Sequence, residues 1–242
     1  MYAFLRWVMR TIVHVYVGGL FRLAGLEHVP LQGGLLVCPN HQSTVDPPLV
    51  PAFLPRSDTW SMAKAEYFEK RWQAWLFRSY QAFPVVRHTA DRKAVKRAFE
   101  ILQAGQALIV YPEGTRVESG QLKEPEPGAG FLAQKTGVPV LPVALVGTRE
   151  CFPKGARWPR RVPVRMILGE TFRLSRKDAE GRRVHAEDAA DAVMLSIAEL
   201  LPESMRGRYA DLDAWRSRVG HLRLYGATPT PTPSASGGGT SP

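Results

Sequence analysis

The sequence predicts an α/β fold, a mainly parallel sheet covered by helices, preceded by an N-terminal amphipathic membrane-associating helical segment. Three observations carry that expectation. Short, wholly apolar runs alternate with longer runs of helical period, as they do when crossover helices join parallel strands. Residues 2 to 24 form a mostly apolar stretch with basic residues at a helical spacing. The 242 residues are 45% hydrophobic and 22% charged, an ordinary globular balance, and they suffice for one sizeable core.

Taken in chain order, the first element is the N-terminal stretch. Arg6, Arg10 and His14 recur every four residues and make one narrow polar stripe on a helix. Phe4, Leu5, Trp7, Val8, Met9, Ile12, Val13, Val15 and Tyr16 cover the rest. The longest stretch without Lys, Arg or an acid runs from Thr11 to Phe21, short of the ~20 apolar residues of a spanning helix. A broad apolar side with basic and aromatic residues suits a helix lying in a membrane interface. A helix packed on the domain core is the competing reading. A cleaved signal peptide is disfavoured, because no A-x-A-like cleavage site follows.

Leu35 to Cys38 reads as a buried strand after the Gly33-Gly34 turn. Ala90 to Ala104 reads as a helix with Ala94, Val95, Ala98, Phe99, Ile101 and Leu102 on one face and Gly105 as its stop. Ala107 to Tyr111 is a second strand, Gly128 to Lys135 a short helix, Val140 to Val146 a third strand and Val162 to Leu168 a fourth. Residues 186 to 201 read as an amphipathic helix. From Ala227 the composition turns to Thr, Pro, Ser and Gly, a disordered tail outside the core. The expected division is thus a helix over 1–24, one α/β domain over 25–226 and a tail over 227–242.

Thirty-two Lys and Arg against 22 acids give a net charge of +10. That favours an anionic partner: nucleic acid, a phosphorylated metabolite, an acidic carrier protein or an anionic membrane surface. Nucleic acid is not expected, because the chain has no recognisable motif for it and no aromatic platform interleaved with the cations. Two cysteines, Cys38 and Cys151, exclude a disulfide scaffold and a Cys-rich zinc site. No metal and no cofactor is expected.

Two segments carry chemistry. The first, Asn40-His41-Gln42-Ser43-Thr44-Val45-Asp46-Pro47, directly follows a strand, at the end where open α/β sheets bind ligands. With Ser43 as N-cap, Asp46 falls in the first helical turn and reaches back to the imidazole. Such a pair is a general base, the carboxylate fixing the tautomer and supporting the imidazolium. An ordinary helix start with a histidine nearby is the alternative. The second segment, Tyr111-Pro112-Glu113-Gly114-Thr115-Arg116, opens on the same edge of a parallel sheet. Its glycine and threonine offer backbone N–H groups and a hydroxyl, and its arginine a forked cation, a combination suited to phosphate. Glu113 would anchor a hydroxyl or a cation. A surface turn with a solvated ion pair is the alternative for such a pentamer taken alone.

Order and spacing join these segments to Phe83-Pro84-Val85-Val86-Arg87 and Val138-Pro139-Val140-Leu141-Pro142-Val143. Together they resemble the four blocks of the glycerolipid acyltransferases, in particular the bacterial 1-acylglycerol-3-phosphate acyltransferases of the PlsC type. Asn40, His41 and Asp46 match N-H-x4-D. Phe83 to Arg87 match I/F-P-V-x-R, Tyr111 to Arg116 match F/Y-P-E-G-T-R, and Met62 to Glu66 resemble the family's A-K-x-E segment. The resemblance spans roughly residues 25 to 175. The chain departs from it at Gln81-Ala82, where the family often has a glycine, and at Glu126, where it commonly has a lysine; Lys123 is the nearest substitute.

The resemblance implies acyl transfer from acyl-CoA or acyl-carrier protein to the sn-2 hydroxyl of lysophosphatidic acid, giving phosphatidic acid. His41 would take the hydroxyl proton and Asp46 would orient it. Arg87 and Arg116 would hold the acceptor's phosphate, Glu113 would position its glycerol part, and Gly114 and Thr115 would add backbone and hydroxyl contacts. Lys64 is a weaker candidate for an active-site cation. A membrane-associated enzyme, peripheral or monotopic on the cytoplasmic face, follows from amphiphilic substrates. Arg6, Arg10 and Arg22 would meet anionic head groups, and Lys154, Arg157, Arg160, Arg161 and Arg165 a membrane or an acidic carrier protein. An acyltransferase for another hydroxylated lipid, a thioesterase using Ser43 or Cys38, and a peripheral membrane-binding protein are the alternatives.

Overall fold

The computed structural model describes residues 1–226 other than Arg87, His88 and Ala90. The expected tail over 227–242 lies outside the described residues. The chain opens with helix α1 (Tyr2–Tyr16), then β1 (Phe21–Ala24), β2 (Leu35–Pro39), α2 (Asp46–Phe53), β3 (Thr59–Lys64), α3 (Arg71–Ser79) and β4 (Ala82–Val85). It continues through α4 (Arg92–Gln103), β5 (Ala107–Ile109), α5 (Gly128–Thr136), β6 (Val140–Val146), α6 (Thr148–Cys151) and β7 (Val164–Leu168). It closes with β8 (Phe172–Leu174), α7 (Ala186–Ala198), α8 (Leu212–Val219) and β9 (Arg223–Tyr225).

The strands join one sheet in the order β1-β7-β6-β2-β5-β3-β4, with β8 pairing β6 and β9 pairing β8. Strands β6, β2, β5, β3 and β4 run parallel. The α/β fold with a mainly parallel sheet is therefore as expected. The strand predicted at Val162–Leu168 is the exception in direction, since β7 runs antiparallel to β6.

The central strands are buried on both faces, and their side chains divide by the two-residue period. Leu35 and Val37 of β2 and Ile109 of β5 face a layer holding Val13 and Val17 near α1 and Leu49, Val50 and Leu54 near α2. Leu36, Cys38 and Leu108 face the opposite layer of α4, α5 and α7. Helix α4 starts where Asp91 accepts N–H bonds from Lys93 at 3.1 Å and Ala94 at 3.0 Å, the usual remedy for unpaired first-turn donors. At the other helical interface a Cβ on Gly130 would lie 2.5 Å from the Ala190 nitrogen, so only glycine lets α5 approach α7.

Two expectations change here. The N-terminal helix ends at Tyr16, and Phe21–Ala24 form an edge strand in register with Val164–Ile167 of β7. The four residues that end the expected 1–24 helical segment thus belong to the sheet. Helix α7 is not amphipathic: Ala189 through Ala198 are all buried. The cause is a second covering layer, in which Tyr209 and Val219 pack on the same core and the Tyr209 hydroxyl donates to Asp191 at 2.6 Å.

Candidate active site

Strands β2 and β5 are neighbours, with Val37 opposite Ile109, so the loops after them emerge side by side on one edge of the sheet. Asn40 anchors the first loop. Its amide donates to the Leu145 carbonyl at 3.0 Å and accepts from the Leu145 N–H at 2.7 Å, locking the loop base to β6. His41 follows, almost fully buried.

The His41 Nδ1 lies 2.9 Å from Asp46 Oδ2. The same oxygen accepts the backbone N–H groups of Gln42 and Ser43, each at 2.7 Å. A carboxylate so placed keeps the proton on Nδ1 and leaves Nε2 as the acceptor. Asp46 is completely buried and opens α2, in the first-turn position favourable to a carboxylate. The expected N-cap is corrected: Val45 precedes the helix, and the Ser43 hydroxyl donates to the Phe152 carbonyl at 3.0 Å. Asp46 instead gathers the N–H groups of the preceding loop.

The second loop closes over the first. The Tyr111 ring lies against the His41 imidazole, with centroids 4.3 Å apart and planes at 34°. Glu113 points inward: its Oε2 accepts the His41 N–H at 2.7 Å, and it is 1% exposed. The Val117 N–H donates to the His41 carbonyl at 2.9 Å. Burial pushes the Glu113 carboxyl up to about 7, against the opposing pull of the His41 and Lys123 backbone N–H groups and the Lys123 charge. Gly114 has φ +67, and a Cβ there would lie 2.7 Å from Glu126 Cγ, which explains the glycine.

A cleft of about 1130 Å³ opens at this edge. His41, Tyr111, Thr115 and Arg116 line it at one end; Met62, Leu76, Phe77 and Tyr80 supply apolar wall. Thr115 and Arg116 thus reach the cleft wall beside His41. Glu113 is not on the cleft wall; its carboxylate is spent on the backbone of the histidine loop. Lys64 lies on the wall, ion-paired with Glu66 at 2.6 Å. Gly114 faces a smaller adjoining cavity of about 300 Å³, which shares Met62, Val86 and Tyr111 with the cleft. Arg87 lies outside the described residues. Cys38 is fully buried, its thiol pushed far up by desolvation, and Ser43 is turned to Phe152. Neither is presented to His41 as a nucleophile.

Sequence reasoning missed two contributors. The bridging role of Asn40 is not spelled out by its motif; an amide directly after a strand is the signal that points to a bridge to the neighbouring strand. The packing of Tyr111 on His41 has no sequence signal, because it depends on the register of β2 against β5.

The sequence model of the acyltransferase family matches residues 21–146. The 1-acyl-sn-glycerol-3-phosphate acyltransferase of Bacillus subtilis is 28% identical over 174 residues, covering 70% of this chain and 81% of that protein. The enzyme of the same name from Pseudomonas aeruginosa is 27% identical over 209 residues, covering 83% and 76%. The crystal structure of the 1-acyl-sn-glycerophosphate acyltransferase PlsC from Thermotoga maritima superimposes with a TM-score of 0.64 at 26% identity, covering 81% of this chain and 78% of that one.

Proposed function

This chain belongs to the acyltransferase family, and from that premise we propose that it carries a fatty acyl group from acyl-CoA or acyl-carrier protein to the sn-2 hydroxyl of lysophosphatidic acid. The product is phosphatidic acid, an intermediate of phospholipid synthesis. The observation that carries this reading is the buried His41–Asp46 pair, 2.9 Å apart, at the end of a cleft walled also by Thr115 and Arg116. The names of the bacterial relatives point to the same acceptor.

In this mechanism His41 Nε2 takes the proton as the acceptor oxygen attacks the thioester carbonyl. Asp46 holds the imidazole and stabilises the imidazolium that forms. Collapse of the tetrahedral intermediate breaks the carbon–sulfur bond and releases a thiolate with a pKa of about 8.5, which needs little acid assistance. The proton on His41 then returns to the thiolate or to solvent. Arg116, with Thr115 beside it, holds the acceptor's phosphate, and Arg87 is assigned the same task by its motif. Glu113 acts through His41, pinning the loop that carries it, and Gly114 lets the Glu126 segment close against the same loop.

The enzyme works at a membrane surface, as a peripheral or monotopic protein on the cytoplasmic face. Among the described residues no helix is long and apolar enough to cross a membrane. The test is thiol release from long-chain acyl-CoA and from acyl-carrier protein, with and without lysophosphatidic acid. We expect release that requires the acceptor, yields phosphatidic acid and falls at least ~10³-fold in His41→Ala. Acceptor-independent release would replace the reading with a thioesterase.

A further inference from the structure

Two of the arginines expected to reach lipid, Arg6 and Arg10, are tied to the domain by hydrogen bonds, although Arg10 stays exposed. The Arg6 guanidinium donates to the Leu54 carbonyl, and Arg10 Nε donates to the Ala52 carbonyl at 2.5 Å. Both are held at the C-terminal end of α2, where free carbonyls attract cations. Helix α1 therefore presents the opposite stripe to solvent: Phe4 (58% exposed), Trp7 (62%) and Val15 (70%). It is an aromatic, apolar face whose neighbouring arginines are hydrogen-bonded to the end of α2.

A second set of cations lies beside it. Arg157, Arg160, Arg161 and Arg165 are exposed, and Trp158 among them is 74% exposed. The Arg161 guanidinium reaches the end of α1, 3.9 Å from where a Cβ on Gly18 would stand. Arg165 of β7 occupies the register position next to Arg22 on the edge strand β1. Like charges side by side on a sheet are unfavourable. Among the described residues, none of these arginines has a carboxylate partner. Cations on an edge strand also deter aggregation, but that role does not require an exposed tryptophan in their midst.

We propose that Arg157, Arg160, Arg161 and Arg165, with Trp158 seated among them, are the contact of this chain with an anionic lipid bilayer, adjoining the apolar stripe that α1 inserts. The exposed cluster of unpaired positive charge attracts an anionic partner. The exposed indole and the adjoining aromatic stripe favour a bilayer over an acidic protein, because they need an apolar layer directly beneath the charged one. This placement also suits the cleft. The Tyr80 hydroxyl on its wall lies between the carbonyls of Leu5 and Pro48, 3.4 and 3.3 Å away, its single proton shared between them, so the start of α1 borders the cavity.

The experiment is flotation of the full chain with vesicles of phosphatidylcholine alone and of an equimolar mixture with phosphatidylglycerol. It needs no acyl transfer, so it succeeds or fails apart from the proposed reaction. Wild-type binding should rise at least ~10-fold with the anionic lipid and decline with added salt. The triple variant Arg157→Gln, Arg160→Gln, Arg161→Gln should lose that rise and keep its binding to phosphatidylcholine, with an unchanged melting temperature. Trp158→Ala should weaken binding to both vesicle types, and so should Trp7→Ala. Persistence of the anionic rise in the triple variant would overturn the proposal. So would loss of affinity for acyl-carrier protein in that variant with vesicle binding intact, which would hand the surface to a protein. A dimer in light scattering that Trp7→Ala dissociates would place the α1 stripe between two copies instead.

Discussion

Glu113 shows how one buried carboxyl can tie two loops together. It holds the His41 N–H at 2.7 Å while burial raises it to about 7. The unfolded chain releases the same proton near 4.5. Between those values the folded protein binds more protons than the unfolded one, so its stability declines as pH rises from about 4.5 to about 7. That separation is worth about 3 kcal/mol, all of it lost above the folded value. Glu113→Gln removes the ionisation, and its melting temperature should change less between pH 5 and 8 than that of the wild type. Thermal melts across that range check this. Activity in the variant should also decline, since an amide holds the histidine loop less firmly than a carboxylate. The pairing of His41 with Asp46 was readable from a spacing of five residues before a helix. The inward turn of Glu113 was not, because its partner is a backbone N–H on a loop 72 positions away.

At the scale of elements, legibility followed the strength of the local pattern. The apolar runs at Leu35, Ala107 and Val140 became β2, β5 and β6, and the Ala94–Leu102 face became the buried side of α4. Strands β1, β3, β4, β8 and β9 are short or half-exposed, and only partner strands define them. Helix α7 reads as amphipathic because Glu187 and Asp188 are in its first turn, while the following ten residues are all buried, Asp191 among them as the partner of the Tyr209 hydroxyl. Its close approach to α5 is the more consequential detail. The Cβ of any other residue at Gly130 would meet Ala190 N at 2.5 Å and the Ala186 carbonyl at 2.8 Å, both backbone atoms that cannot swing aside. Gly130→Val should therefore force the two helices apart and cost about 1–3 kcal/mol or more. Denaturant unfolding would register the loss as a lower midpoint with little change in slope.

For the molecule as a whole, the orientation of α1 decides how the chain meets its surroundings. Helical periodicity located the stripe of Arg6, Arg10 and His14 but not the side on which the domain would lie. The carbonyls at the end of α2 settle that by binding two arginines, Arg6 and the still exposed Arg10. Arg10→Gln should consequently reduce thermal stability, by about 1–2 kcal/mol for a charged hydrogen bond, and leave the dependence of binding on anionic lipid intact. Calorimetry and vesicle flotation on one preparation separate the two effects. The pairing of β1 with β7 carries this further. Helix α1 is joined to the catalytic core through a strand that completes the sheet, so it is not a removable leash. A shortened protein beginning after Ala24 would leave the backbone donors and acceptors of Val164–Ile167 open along a fresh edge. Such a protein would be expected to stick to itself, and insolubility on truncation would then report an unpaired strand rather than a lost lipid anchor.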